Sequence, residues 1–298
     1  MNVPSHSPRE IQPNLQVLIG TLYSGEREFD ECVEALKAQK YCYRSHVVIE
    51  HLPDNAAHDQ LYKQFMQHSG EFDLFLKLDA DMVLSDPDKL GAAVSLFEQS
   101  PNLDHAVFSV QDWMTSSSII GIHMYRSRVR WAPRRGQPGA DSPPELQGQR
   151  RHFTRSHPSP LAVHSPNPGP AQAFRYGLRC AIKAFQIGPT GIRPVQAITH
   201  WRLLRRLWRR FDLVRDPRLG LALMAAEHAL THDVSVDFCN YTNPRFWQLL
   251  NMYTSMTPVE VHDHLRPMWA RRVRRESMWV RTFTQQLVGR PWRFRKAG

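Results

Sequence analysis

Apolar and polar positions change period several times along the first 130 residues. LQVLIGTLYSGE, Leu15 to Glu26, starts as a continuous apolar run and ends in small polar residues, the pattern of a buried strand feeding a loop. EREFDECVEALKAQ then places Phe29, Val33 and Leu36 on one helical face. SHVVIEHLPD predicts a second strand ending near Glu50, and NAAHDQLYKQFMQHSG a second helix lined by Leu61 and Phe65, with His58 or Tyr62 beside them. FDLFLKLDADMVL, Phe72 to Leu84, reads as a third strand, almost continuously apolar until two carboxylates break it. A helix follows in SDPDKLGAAVSLFEQS, with Ser85 or Asp86 as N-cap and Pro87 in the first turn. Strands alternating with helices predict a parallel sheet with helices on both faces and a ligand site at the carboxyl ends of the strands.

Asp79 and Asp81 stand one residue apart at the end of that third strand. Side chains alternate faces along a strand, so the two carboxylates point the same way while Ala80 turns aside. Two hard oxygen donors on one side suit Mg2+ or Mn2+, which a substrate diphosphate and water would also ligate. An Asp-X-Asp triplet by itself more often caps a helix or faces water. Its place here, between a strong strand and a helix signal, gives it weight.

Further along, HAVFSV and IIGIHMY read as two strands joined by QDWMTSSS, which carries Asp112 and Trp113. From Ala132 to about Pro170 the chain turns to Pro, Gly, Ser, Arg and His, the composition of a long functional loop. Asp141 and Glu145 are the only acids between Asp112 and Asp212. Leu161 to Val163 form a short apolar run ending in His164, and a helix with Phe174, Leu178, Ile182 and Phe185 on one face follows. Trp201, Leu204, Trp208 and Phe211 then recur at helical spacing, with Arg202, Arg205, Arg206, Arg209 and Arg210 between them. This basic amphipathic helix, broken from the next at Asp216-Pro217, has two readings. Either its aromatic stripe lies on an anionic bilayer, or it docks on the protein and leaves the arginines in water.

At 298 residues and 42% apolar, the chain can bury a full core. Its net charge of +10 conceals an asymmetry: the first hundred residues carry 8 basic and 16 acidic side chains, the remainder 30 and 12. An acidic first part with a metal motif and a basic second part suit an enzyme whose C-terminal half meets a polyanion, an anionic membrane or a phosphorylated acceptor. Residues 1–14 read as a flexible lead without an apolar signal region, and no run approaches the roughly 20 apolar residues of a membrane span. The expected location is cytoplasmic, with the inner membrane face as a peripheral station. Four scattered cysteines agree with a reducing compartment.

VLIGTLYSGE, EREFDECVEALKAQ, VVIEHLPDN and KLDADM occur in that order, and together the stretch 15–131 resembles the nucleotide-binding half of GT-A glycosyltransferases, closest to family 2. The resemblance implies an α/β, Rossmann-like, mixed and mainly parallel sheet flanked by helices. Its domains would be a catalytic domain at 15–198, with a nucleotide half 15–131 and an acceptor half 132–198, and a basic helical region at 199–298. It implies that Thr21, Glu50 and Asp79 meet the donor, that Asp79, Asp81 and His164 hold Mn2+ or Mg2+, and that Asp112 and Trp113 face the acceptor. Glu145, or alternatively Asp141, would take the proton from the acceptor hydroxyl. The family's Glu-Asp pair is absent, which leaves both the base and the stereochemistry open. The implied activity is a hexosyltransferase, moving a sugar from a nucleotide-diphosphate sugar to a saccharide or lipid-linked acceptor in cell-surface polysaccharide or glycolipid synthesis.

Three other classes compete. A basic nucleic-acid-binding protein is opposed by the acidic first hundred residues and the lack of a recognisable module, so no specific nucleic-acid partner is expected. A sugar nucleotidyltransferase would need a glycine-rich, basic phosphate loop, which TLYSGEREF matches poorly. A catalytically silent scaffold is the last.

Overall fold

A computed structural model describes residues 15–132, 144–153, 160–185, 194–232 and 236–267, together with Val234 and Trp269. The chain divides into two compact units, 1–168 and 169–298. The expected boundary was 198/199. The helix over 170–185, expected within the sheet domain, belongs to the second unit.

The first unit is built on one mixed sheet. Strand β1 (Val17–Tyr23) pairs in parallel with the edge strand β2 (Ser45–Glu50) on one side and β3 (Leu74–Lys77) on the other. The remaining strands are β4 (Met82–Leu84), β5 (Leu103–Asp112), β6 (Ser117–Arg126), β9 (Gln149–Phe153) and β10 (Ala162–His164). The order is β2-β1-β3-β6-β5-β10-β4, with β9 also paired to β5. β7 (Arg130–Trp131) and β8 (Pro144–Glu145) form a separate antiparallel pair. Helices α1 (Phe29–Lys37), α2 (Asp54–Gln67) and α3 (Lys89–Glu98) link the early strands, so the expected α/β class is what the chain adopts.

Period-2 alternation in the strands sorts the core into two layers. Val17, Ile19, Leu74 and Leu76 pack with Cys32 and Leu36 of α1 and Val94 and Phe97 of α3. Leu18, Phe75 and Tyr125 face the opposite way, onto Leu61, Tyr62 and Phe65 of α2 and onto Trp131. Gly20 permits the second layer. A Cβ there would stand 2.3 Å from the Leu61 side chain, so α2 could not approach β1 as it does.

Three sequence expectations change. Phe72 to Leu84 is two strands, because a turn closed by Met82 N–H donating to the Asp79 carbonyl (2.9 Å) sends the chain across the sheet to pair with β10. The helix after it starts at Lys89 with Asp88 at the N-cap; Ser85 instead donates its hydroxyl to the Pro160 carbonyl, and Asp86 accepts the Asp88 N–H. The span 132–170 is not all loop, since QGQRRHF supplies β9 without any apolar pattern to announce it.

The second unit is helical: α4 (Pro170–Phe185), α5 (Pro194–Val214), α6 (Pro217–Thr231), α7 (Pro244–Thr254) and a helix over 258–267. α4 crosses α6 closely because position 177 is glycine; a Cβ there would lie 1.8 Å from the Ala222 carbonyl oxygen. The predicted break is present, with Asp216 capping α6 by accepting the Arg218 N–H at 2.9 Å and Pro217 in the first turn. On α5, Trp201, Leu204 and Phe211 of the expected stripe are buried and Trp208 is half-buried, stacked on His262 and Trp269, while Arg202, Arg206 and Arg209 are exposed. This packing supports the reading in which the helix docks on the protein and leaves the arginines in water. Among the described residues no helix is long and apolar enough to cross a membrane.

Candidate functional site

Three strands deliver three side chains to one edge of the sheet. β10 runs parallel to β5 with His164 opposite Asp112, and antiparallel to β4 with His164 opposite Met82. Asp81, immediately before Met82, and Asp112, the last residue of β5, therefore flank His164. His164 Nδ1 lies 2.8 Å from Asp112 Oδ1, and its Nε2 lies 3.3 Å from Asp81 Oδ2. Asp112 is fully buried and also accepts the Thr115 N–H (3.0 Å) and hydroxyl. Ser165 donates its N–H to the Asp81 carbonyl (2.7 Å) and its hydroxyl to Asp81 Oδ2 (2.8 Å). To do so it takes φ +47°, a left-handed conformation costing a side-chain-bearing residue about 1 kcal/mol or more. The two bonds onto Asp81 offset that strain.

Asp79 opens the turn that leads to Asp81, and Leu78, Ala80 and Met82 around the two carboxylates are buried. Its Oδ1 accepts from Lys77 Nζ at 2.9 Å, and that lysine is only 4% exposed. Cys32 lies close behind; burial first, then the charges of Asp81 and Asp79, push its thiol up to about 12, which leaves it inert as a nucleophile. For His164, burial would lower the pKa, but the Asp81 charge and the hydrogen bonds to Asp112 and Asp81 outweigh it and hold the ring well above its ordinary value.

The donor set fits a divalent cation in part. A gap of 3.3 Å between Nε2 and Oδ2 is long for a charged hydrogen bond. It is near the roughly 3 Å that separates two neighbouring ligands each about 2.1 Å from one octahedral ion. A metal-binding histidine usually has its other nitrogen held by a carboxylate, the place Asp112 occupies. Asp79 would have to exchange its lysine partner to join them, and among the described residues no group of three His, Cys, Asp or Glu side chains is arranged as a complete metal site.

No protein-family model matches the sequence, and no curated protein sequence matches it. Among solved structures the chain is similar to the mannosyltransferase PcManGT from Pyrobaculum calidifontis in complex with GDP-Man and Mn2+, at 13% identity over 80% of this chain and 85% of that one, TM-score 0.39. It is also similar to S. aureus TarS, at 9% identity over 80% of this chain and 55% of that one, TM-score 0.35. A third likeness is to a glycosyltransferase involved in the glycosylation of the major capsid of PBCV-1, at 21% identity over 37% of this chain and 60% of that one, TM-score 0.25.

The other expected residues scatter. Thr21 is fully buried with its hydroxyl 2.9 Å from His46 Nε2, so it offers no donor contact. Glu50 is exposed at the carboxyl end of β2. Asp112 touches His164 and Thr115 rather than an open face, and Trp113, half-buried in the turn after it, donates its N–H to the His164 carbonyl at 3.1 Å. Glu145 lies at the wrong end of the sheet: it precedes Gln149, which pairs with Leu103 at the start of β5, while Asp112 ends that strand. Ten strand residues span roughly 30 Å, far beyond the reach of one base. Asp141 lies outside the described residues. Sequence reasoning missed Lys77 and Ser165. Lys77 had a signal, being a lone cation inside FLKLD, two residues before Asp79 and so on its side of the strand.

Proposed function

We propose that the first unit binds a nucleotide-diphosphate sugar at the carboxyl edge of its sheet and transfers the sugar, a hexose, to a hydroxyl of a saccharide or lipid-linked acceptor. The observation that carries this reading is the Asp81–His164–Asp112 constellation, with Asp79, two residues before Asp81, held by Lys77. Asp81, His164 and Asp79 would hold Mn2+ or Mg2+. When bound, the cation offsets the charge that develops on the departing nucleoside diphosphate. Asp112 positions the His164 ring through Nδ1, and Ser165 fixes the Asp81 carboxylate. Lys77 brings a second cation to the same edge, from which its ammonium can turn between Asp79 and a phosphate oxygen. Glu50 is exposed where a base or ribose would reach β2, and Trp113 offers an aromatic face to a sugar ring. Cell-surface polysaccharide or glycolipid synthesis in the cytoplasm is the proposed setting.

A panel of nucleotide-diphosphate sugars, each scanned for manganese-dependent thermal stabilisation, tests the reading. One nucleotide class should raise Tm, and Asp79→Asn and Asp81→Asn should each abolish that rise. Equal shifts in both variants would remove the two aspartates from the site.

A further inference from the structure

α5 turns one face into the helical unit and the other to solvent. Trp201, Leu204, Leu207 and Phe211 are buried, whereas Arg202, Arg206, Arg209 and Leu213, at positions i, i+4, i+7 and i+11, fall on one exposed stripe. At about 1.5 Å of rise per residue the stripe runs for about 17 Å. Arg205 and Arg210, both half-buried, border it. Among the described residues Arg202, Arg205, Arg206 and Arg209 hold no ion pair. The one acid of the helix, Asp212, is engaged elsewhere: its Oδ1 lies 3.2 Å from the Arg215 guanidinium and 3.1 Å from His262 Nε2. Like charges three and four positions apart on a helix repel, and a surface helix ordinarily relieves that repulsion with acids at the same spacing. This stripe carries none. Beyond Arg209 it ends in two aliphatic side chains that the fold leaves in water, Leu213 at 82% exposure and Val214 at 58%.

We infer that this face of α5 is a docking surface for an anionic lipid bilayer, on which Arg202, Arg206 and Arg209 meet the phosphate and carboxylate groups of the lipid heads while Leu213 and Val214 enter the headgroup boundary. A guanidinium suits that role because it donates paired hydrogen bonds to a phosphate. The charges supply attraction and the aliphatic end supplies shallow burial, the two contributions that together hold a helix on a membrane surface. The same observations count against single-stranded nucleic acid, whose binding proteins set aromatic rings beside their arginines for the bases to stack on. Here the aromatic residues of α5 face the protein, and the exposed apolar residues of the stripe have no ring to offer. The surface belongs to the helical unit, on different residues from the proposed sugar-transfer edge, and the inference does not rest on that reading.

Vesicle co-sedimentation of the full chain is the test, comparing phosphatidylcholine vesicles that contain about one third phosphatidylserine with phosphatidylcholine alone. Wild type should partition onto the anionic vesicles, and less so as salt rises. An arginine near such a surface is worth about fivefold in partitioning, so Arg202→Gln, Arg206→Gln and Arg209→Gln together should lower it about a hundredfold. These side chains are exposed and unpaired, so the triple variant keeps its fold, which an unchanged Tm checks. The matching lysine triple keeps the charge and should stay within about tenfold of wild type. Leu213→Ser should weaken binding several-fold at low and high salt alike. The inference is overturned by a fall of less than about tenfold in the glutamine triple, by equal partitioning of wild type onto neutral vesicles, by an unmoved Leu213→Ser, or by a random single-stranded oligonucleotide that displaces the vesicles at equal phosphate concentration.

Discussion

Asp104 and Asp112 lie near opposite ends of β5, and both are fully buried, yet they are held for different purposes. Asp104 accepts from the Arg128 guanidinium (2.6 Å) and from the backbone N–H groups of Gln147 and Gly148. Those partners tie down the chain between β8 and β9, where a Cβ on Gly148 would come within 2.4 Å of the Asn102 carbonyl. Asp112 accepts from Thr115 and His164, and His164 presents its other nitrogen to Asp81. Burial and pairing therefore do not distinguish a structural acid from one serving a site. The partner does: at one end the network terminates in backbone, at the other it continues to a partly exposed carboxylate beside a second one.

The largest effect should come from the structural acid. Asp104→Ala leaves the Gln147 and Gly148 N–H groups without their acceptor and removes one partner of the partly exposed Arg128 guanidinium, at about 1–3 kcal/mol for each buried group left unsatisfied. Denaturant unfolding should report that loss, while the folded fraction keeps wild-type affinity for a manganese–nucleotide sugar pair. Asp112→Asn should behave in the opposite way, weakening metal-dependent nucleotide binding by about 10–100-fold, the usual cost of removing a carboxylate behind a ligating histidine. Calorimetry on both variants checks the contrast; an Asp104 variant with the binding defect of Asp112 would erase it.

Histidines allow a smaller version of the same comparison. His164 is held above its ordinary pKa by carboxylates, whereas burial, with Lys183 and Arg179 nearby, pushes His200 down to about 4. The His200 ring donates Nδ1–H to the Gln196 carbonyl at 2.8 Å and stays neutral in the fold. Between its unfolded pKa of about 6.5 and its folded value, the unfolded chain binds a proton that the native chain refuses. Its contribution is complete above about pH 6.5 and is lost as pH falls towards 4, by no more than about 2 kcal/mol because the ring is not wholly buried. His200→Gln should flatten that part of the stability–pH curve measured by chemical denaturation; an unchanged slope assigns it to other groups.

Much of the fold was legible because periodicity reports burial. β1, α1, β2 and α2 follow from runs such as VLIGTLY and the Leu61–Phe65 face, and the Asp216-Pro217 break follows from proline's missing N–H. Asp81 and His164 were legible as strand-end residues, and the structure brings those two together while Lys77 holds Asp79. What was hidden depends on pairing between distant segments. Nothing local in QRRHF says that it will join β5, and nothing near Asp112 says that its partner lies on β10, 52 positions further along the chain. The same blindness misassigned Glu145: it is one of only two acids in its region, but composition does not reveal which end of a sheet a loop returns to.

Glu145→Gln should therefore do almost nothing, and that makes it the sharpest small-effect test. The residue is exposed and, among the described residues, pairs through the short β7–β8 ladder opposite Arg130, with no contact to the Asp81 edge. Surface substitutions away from caps, cores and networks change stability by within about 0.5 kcal/mol. Transfer rate with the donor found by the nucleotide-sugar panel should stay within about twofold of wild type across pH 6 to 8, since a base must stand within hydrogen-bonding reach of the proton it removes. A hundredfold fall in turnover without loss of stability would move the chemistry to the amino end of the sheet and reverse the roles assigned to Asp104 and Asp112.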